Sequence, residues 1–348
     1  MIFMGYDIDL EISSYEQAVK TRPGDADARR ALGLAYGIKG RYSDAVRELE
    51  EAAKLRPDSA EIHYSLGIAY DALGETKKAS QEFRKAVELK DDYVEARLSL
   101  AITLNELGLV DDALPVFTEL VKQAPNLPEA RVGFAISLMA AGYLDDAIEM
   151  LQEAVKLNPE YFDAYMLLAG AYADKGDLRE AENAYKQAVK ANPSSPDAYY
   201  NLAVTQSERN LLTEAIQNYR IAIQHSPDFL EAHYNLGLLL DDKGLVDEAI
   251  REYETTLDLD PDFPDAYNRL GWDYARMGDP AKAREFYEKA IALDEHFVQA
   301  HLNLGSLFLE QKQYEDAIRE FETVQKIDPD NGEAKNYLAT ARYKLGII

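Results

Sequence analysis

Five histidines, His63, His225, His233, His296 and His301, are the first residues to weigh for metal or acid–base chemistry. Three of them, His63, His233 and His301, recur at multiples of 34 residues, and Tyr165, Tyr199 and Tyr267 fall on the same beat. A position that takes either Tyr or His serves packing, so no metal site is expected there. No His-Glu-x-x-His pair, no glycine-rich phosphate loop ending in Lys-Ser/Thr and no Gly-x-Ser-x-Gly elbow occurs. Cysteine is absent, which removes disulfides, thiolate-bound zinc, iron–sulfur clusters and thiol nucleophiles together. The 63 acidic residues guarantee chance carboxylate neighbours without a dedicated catalytic pair. The chain is therefore read as non-enzymatic, with no cofactor. Its recurring polar side chains are amides instead. Asn201, Asn235 and Asn303 share one beat, interrupted by Arg269, in the runs YYNL, HYNL and HLNL. A primary amide both donates and accepts, so it can satisfy a peptide unit of any sequence.

The elements that hold these residues follow from one period. Pro23, Pro57, Pro125, Pro159, Pro193, Pro227, Pro261 and Pro329 stand 34 residues apart or at multiples of 34, with Asp91 and Glu295 in the vacant slots. Small residues keep the beat at Gly33, Gly67, Ala101, Ala135, Ala169, Ala203, Gly237, Gly271, Gly305 and Ala339, and alanine alone does so from Ala45 to Ala317. Four residues after that alanine comes a large side chain, as in Leu49, Phe83, Phe117, Tyr253 and Phe321. Apolar spacings of 3 and 4 within each unit predict helices. Gly40, Gly74, Gly108, Gly142, Gly176, Gly244 and Gly278 suit left-handed helix ends, and the prolines stop the second helix. Each unit then holds two antiparallel helices, each roughly 21 Å long. A single pair cannot bury its apolar face, so neighbours must stack.

These residues resemble the tetratricopeptide repeat family over essentially the whole chain. The signature is Leu-Gly/Ala and then Tyr36, Tyr70, Tyr172 or Tyr274 in the first helix, Ala and Phe/Tyr in the second, and a closing Pro. The expected fold is all-α, a right-handed superhelical solenoid of antiparallel helix pairs. The expected division is a half-repeat in 1–25, nine complete repeats in 26–331 and a capping helix in 332–348, twenty helices in all. Three departures stand out. Gln206 replaces the usual aromatic, Asn210 and Lys312 replace the turn glycine, and Pro115 inside a second helix predicts a late start or a kink. Lys335, Arg342 and Lys344 give the last helix the charged face a terminal unit needs. An unpaired N-terminal helix also admits self-association through the half-repeats.

By this resemblance, the second, fifth, sixth, ninth, twelfth and thirteenth positions of each repeat face a ligand. Tyr64, Ile68, Leu98, Ile102, Val132, Ile136, Met139 and Met166 give repeats two to five a mostly apolar row. That row fits inter-repeat core and groove equally. Repeats six to nine present Tyr200, Asn201, Tyr234, Asn235, Asn268, Arg269, Trp272, Arg276 and Asn303, a polar and aromatic row. The asparagines are similar to the ladder in the long repeat arrays of O-linked N-acetylglucosamine transferases, which implies contact with an extended peptide backbone.

The net charge of −26 gives no basic face for nucleic acid or anionic lipid. The single-stranded-RNA readers among helical repeats use a 35-residue unit and a basic groove, unlike this chain. The second repeat position is acidic almost throughout, from Asp27 and Glu61 to Asp265, and Arg30 is the only basic residue at the fifth. The carboxylate clamp of co-chaperone repeats is thereby disfavoured. Acids in the first helical turn suit the helix dipole, each by about 0.3–1 kcal/mol. The expected partner is a protein or peptide, basic or neutral rather than acidic. The opening MIFMGYDIDLEISS has no basic stretch or signal-like apolar run, so a cytoplasmic location is expected. The leading reading is a non-catalytic scaffold that binds extended or helical segments and assembles a larger complex. Its rivals are a substrate-recognition arm of a larger enzyme such as a glycosyltransferase, and a structural protein that polymerises.

Overall fold

A computed structural model describes residues 8–347. The part of the expected N-terminal half-repeat before Ile8, and the last residue of the chain, lie outside these described residues. Among them all regular structure is helical, in twenty helices of 13 or 14 residues joined by short turns. They fall into two compact units, Met1–Ala191 and Asn192–Ile348.

In the first unit α1 (Ile8–Thr21) precedes five helix pairs. These are α2 (Ala26–Ile38) with α3 (Tyr42–Leu55), α4 (Ala60–Ala72) with α5 (Thr76–Leu89), and α6 (Val94–Glu106) with α7 (Val110–Gln123). Then come α8 (Pro128–Ala140) with α9 (Leu144–Leu157), and α10 (Phe162–Lys175) with α11 (Leu178–Ala191). The second unit holds α12 (Pro196–Glu208) with α13 (Leu212–His225), α14 (Leu230–Asp242) with α15 (Val246–Leu259), and α16 (Pro264–Arg276) with α17 (Pro280–Leu293). It ends with α18 (Val298–Glu310), α19 (Tyr314–Ile327) and α20 (Gly332–Leu345). Within each unit every helix packs on the next, and first helices also touch first helices, as α2 does α4 and α16 does α18.

The turn inside a pair is set by one residue. Gly278 has φ +79°, and the next residue, Asp279, donates its backbone N–H to the Tyr274 carbonyl at 2.9 Å. This closes the first helix with a left-handed cap. Asn210 and Lys312, without glycine, adopt the same conformation at φ 59° and 63°, and the Leu211→Gln206 and Gln313→Phe308 bonds are both 2.8 Å. The turn geometry therefore overrides the preference of the side chain.

Close approach within a pair explains the Gly/Ala beat. A Cβ added to Gly237 would lie 2.6 Å from the Tyr253 ring, and one on Gly67 2.5 Å from Phe83. These large residues are buried, filling the space that the missing side chain leaves. Pro115 does not delay its helix. Helix α7 begins at Val110, in register with α5 at Thr76 and α9 at Leu144, and runs to Gln123. Pro115 and Asp111, whose carbonyl loses its partner, are both exposed, so water can replace the lost bond. Gln206 is buried where an aromatic was expected, and its side-chain oxygen accepts from Asn218 Nδ2 at 2.7 Å.

Candidate peptide-binding face

The histidines come first, because the structure gives them a role beyond packing. His63 Nδ1 lies 2.5 Å from Glu82 Oε2, and its Nε2 lies 3.1 Å from the Pro57 carbonyl. His233 repeats this with Glu252 at 2.6 Å and Pro227 at 3.1 Å, and His301 with Glu320 at 2.7 Å and the Glu295 carbonyl at 3.1 Å. Each Glu sits on the second helix of the same pair, and each carbonyl follows the last helix of the preceding pair. The carboxylate bond and the inter-helix carbonyl hold His233 and His301 above the ordinary imidazole pKa, against their burial. In each of the three both ring nitrogens face an oxygen of the protein, so neither is presented to a metal.

Arginine makes the same brace on the same beat. Arg29 Nε donates to the Pro23 carbonyl at 2.9 Å and its Nη1 to Glu48 at 2.7 Å. Arg131 reaches the Pro125 carbonyl and, at 2.8 Å, Glu153, whereas Arg97 makes only the half toward the preceding turn, to the Asp91 carbonyl and carboxylate at 2.6 Å each. Sequence reading missed this cation. Its signal was present: a basic residue at the fourth repeat position, with Glu 19 residues later for Arg29, His63, His233 and His301.

The expected polar row lies on α12, α14, α16 and α18, but its members differ in availability. Tyr200 is wedged between Phe229 and Tyr219, ring centroids 4.8 and 5.7 Å away, and Tyr234 between Phe263 and Tyr253 at 5.0 and 6.0 Å. Both rings are half-buried, and burial raises both phenol pKa values. Asn235 Nδ2 donates to Tyr200 Oη at 3.0 Å, and Asn303 Nδ2 to Asn268 Oδ1 at 2.9 Å. The amides thus link successive first helices. Asn303 Oδ1 also accepts from Gln299 at 3.0 Å. Asn201 is half-buried and Asn268 buried.

Asn268, Arg269, Trp272, Gln299 and Asn303 are brought together around a pocket of about 310 Å³. Trp272 is 46% exposed, unusual for the largest apolar side chain. A second pocket of about 290 Å³ shares Trp272, Gln299 and Asn303 and adds Glu310, Glu333 and Tyr337. Arg276 does not join them. It is paired with Asp241 and lies 3.5 Å from Asp273, whose carboxylate is fully buried without a hydrogen-bond partner. Burial and the neighbouring Asp241 push the Asp273 pKa up to about 7.

In the first unit the apolar row divides. Val132 is core at 7% exposure, whereas Ile68, Ile102 and Ile136 keep 40–42%. Tyr64, Leu98, Met139 and Met166 are half-buried. Among the described residues no group of three or more metal-ligating side chains gathers, and no helix is long and apolar enough to cross a membrane.

Stacked helix pairs presenting polar and apolar strips on their first helices define a helical-repeat scaffold of the protein-interaction class. Tetratricopeptide repeat models match residues 104–169, 138–203, 172–217 and 274–346, others of that description match 12–45, 60–93 and 228–296, and a TPR repeat model matches 38–74 and 207–244. The chain belongs to the tetratricopeptide repeat family. The C-terminal part of a TPR repeat-containing protein from Cytophaga hutchinsonii shares its fold, with 19% identity, 69% of this chain and 99% of that one covered, and a TM-score of 0.60. Similarity extends to YrrB, a TPR protein with an unusual peptide-binding site, at 24% identity, 53% and 95% coverage and a TM-score of 0.49. It extends also to MamA, at 27% identity, 48% and 92% coverage and a TM-score of 0.47. Comparison with curated proteins gave no match.

Proposed function

We propose that this chain is a non-catalytic scaffold of nine complete repeats that binds a peptide segment on the first-helix face of its second unit. The carrying observation is the half-exposed Trp272 ring set among Asn268, Arg269, Gln299 and Asn303. An apolar ring ringed by amides suits a segment whose side chain seats on Trp272 while its backbone meets Asn303 and Arg269. Asn201 and Asn235 extend the same strip. Asn235 and Asn303 each spend an amide hydrogen inside the protein, which pre-orients the side chain for a ligand. Glu310 and Glu333 beside the ring favour a basic or neutral segment over an acidic one.

Trp272 is the only tryptophan, so its emission reports this site alone. Titration with a neutral extended peptide and its Lys- and Glu-substituted forms should shift Trp272 emission for the first two and not for the third. The Asn201→Ala/Asn235→Ala/Asn303→Ala variant should bind at least about tenfold more weakly, a loss of about 1.4 kcal/mol. Unchanged affinity in that variant would sink the reading.

A further inference from the structure

The second unit carries a cleft on the side of α18 turned away from Trp272. A pocket of about 350 Å³ opens between α17 and α19, with Leu304 and Phe308 of α18 and Ile291 of α17 among its lining. That volume lies in the roughly 300–1,000 Å³ range of ligand clefts. From α18 it takes His301, Leu304 and Phe308, whereas the two Trp272 pockets take Gln299, Asn303 and Glu310. At about 3.6 residues per turn these two sets lie on opposite sides of α18. None of the residues lining the cleft holds a repeat position expected to face a ligand.

The preceding pair shows what fills this space. In α16 and α17 the equivalent residues, 34 earlier, are Tyr267, Tyr274 and Phe286 in place of His301, Phe308 and Glu320. The Phe286 ring stacks on Tyr274 at 5.4 Å and on Tyr267 at 6.2 Å, with planes 17° and 26° apart. Lys289 stands over it at 5.3 Å. In the last full pair Glu320 is spent on His301, 2.7 Å away, and brings no ring. Phe308 is covered by the Arg284 guanidinium, 5.2 Å from its ring centroid.

The same comparison supplies a hydroxyl. Tyr36 Oη donates to Glu16 at 2.7 Å and Tyr70 Oη to Glu50 at 2.5 Å, and Tyr172 Oη accepts from Gln152 at 2.6 Å. Each partner stands 20 residues earlier, on the preceding second helix. Phe308 has no hydroxyl, and the residue 20 earlier is Glu288, which lines the cleft and pairs with Arg284 one turn away at 2.7 Å. An aliphatic occupant would leave the Glu288 carboxylate and the Arg284 face unused. A charged one would lose its water against Ile291, Leu304 and Phe308. A phenol brings ring and donor together. Ala292 and Arg319 at the rim are exposed, so a main chain bearing that ring can pass over the mouth.

We infer that this cleft between α17 and α19 binds a tyrosine side chain of a partner protein, its ring against Leu304 and Phe308 beside Arg284 and its hydroxyl donating to Glu288. The inference goes beyond the Trp272 site and does not depend on it.

Saturation-transfer NMR with the full chain tests it. The probes are capped Gly-Gly-Tyr-Gly-Gly and its Phe and Leu counterparts. The Tyr peptide should bind about threefold more tightly than the Phe peptide and at least about fivefold more tightly than the Leu peptide. Glu288→Ala, an exposed position, should erase the preference for Tyr over Phe. His301→Tyr/Glu320→Phe transplants the filled arrangement of α16 and α17, and should weaken Tyr-peptide binding by about fivefold or more. Ala292→Phe, at the exposed lip, should do the same with the His301 brace intact and Tm unchanged. Equal binding of the Tyr and Leu peptides, or binding indifferent to Ala292→Phe, overturns the inference. So does a concentration-dependent dimer that Ala292→Phe dissociates, which would make a second copy the occupant. The Trp272 emission shift with the neutral extended peptide should persist in Ala292→Phe. Loss of that shift in the parent chain, with the Tyr peptide still bound and still sensitive to Ala292→Phe, would overturn the Trp272 reading alone.

Discussion

His233 Nδ1 lies 2.6 Å from Glu252 Oε2, and its Nε2 lies 3.1 Å from the Pro227 carbonyl, so one imidazolium ties a first helix to its own partner and to the end of the preceding pair. His301 makes the same two bonds. Their pKa values are raised above the ordinary imidazole value. The folded state therefore holds its protons more tightly than the unfolded one. This stabilisation is complete below about pH 6.5, the unfolded value, and is lost as pH rises through the folded values. Thermal denaturation from pH 6 to 8.5 should show Tm falling. His233→Gln/His301→Gln should flatten that slope and cost about 1–3 kcal/mol per site at pH 6. A slope unaltered by the double variant would remove the histidines from the account.

Gly237 and Gly37 sit in first helices with opposite surroundings. A Cβ on Gly237 meets the Tyr253 ring at 2.6 Å, whereas one on Gly37 meets nothing within 4 Å. Gly237→Ala should destabilise by about 1–2 kcal/mol through overpacking. Gly37→Ala should stabilise by about 0.5–1 kcal/mol through helix propensity. Urea titration of the two variants checks the contrast in sign.

The helix pairs were legible in the sequence because one period carried three independent signals: the Gly/Ala approach, the left-handed turn and the closing proline. Each has a steric cause that acts within 34 residues. The exceptions Asn210 and Lys312 kept the turn because flanking pairs fix it. The candidate site was only half legible. Repeat position put Trp272 and Asn303 on one face, where they line a common pocket, but did not show that Tyr200 is wedged beside Phe229 or that Arg276 is held by Asp241. Those outcomes depend on neighbours about one repeat away, whose side chains compete for the same atoms. The fourth-position brace escaped because Arg and His look unlike each other as residues while donating alike.

Lys312 adopts φ 63° where most repeats use glycine. A left-handed non-glycine residue is strained by about 1–2 kcal/mol, partly offset by the greater freedom glycine gives the unfolded chain. Lys312→Gly should therefore stabilise by about 0.5–1 kcal/mol, and Gly278→Ala should destabilise by a similar amount. Denaturation midpoints that move the same way in both variants would contradict this.

Asp273 is the least comfortable charge in the second unit. Both carboxylate oxygens are buried without a hydrogen-bond partner, Asp241 crowds it, and Arg276 is shared between the two. Tyr253 from α15 and Arg269 from its own helix also act on the cluster, and Tyr287 from α17 feels its charge. Its folded pKa of about 7 stands above the ordinary aspartate value, so the folded state again binds the proton more tightly. Stability from this group is full below about pH 4 and declines as pH rises toward 7. Asn keeps the shape and removes the charge. Asp273→Asn should therefore stabilise at pH 8 by about 1–3 kcal/mol, the scale of an unsatisfied buried group, with less gain at pH 5. Arg276→Gln should do the reverse at pH 8, leaving the two carboxylates without their shared cation. Chemical denaturation of both variants at the two pH values decides the matter: an Asp273→Asn chain less stable than the parent at pH 8 would mean that Arg276 already compensates the buried charge.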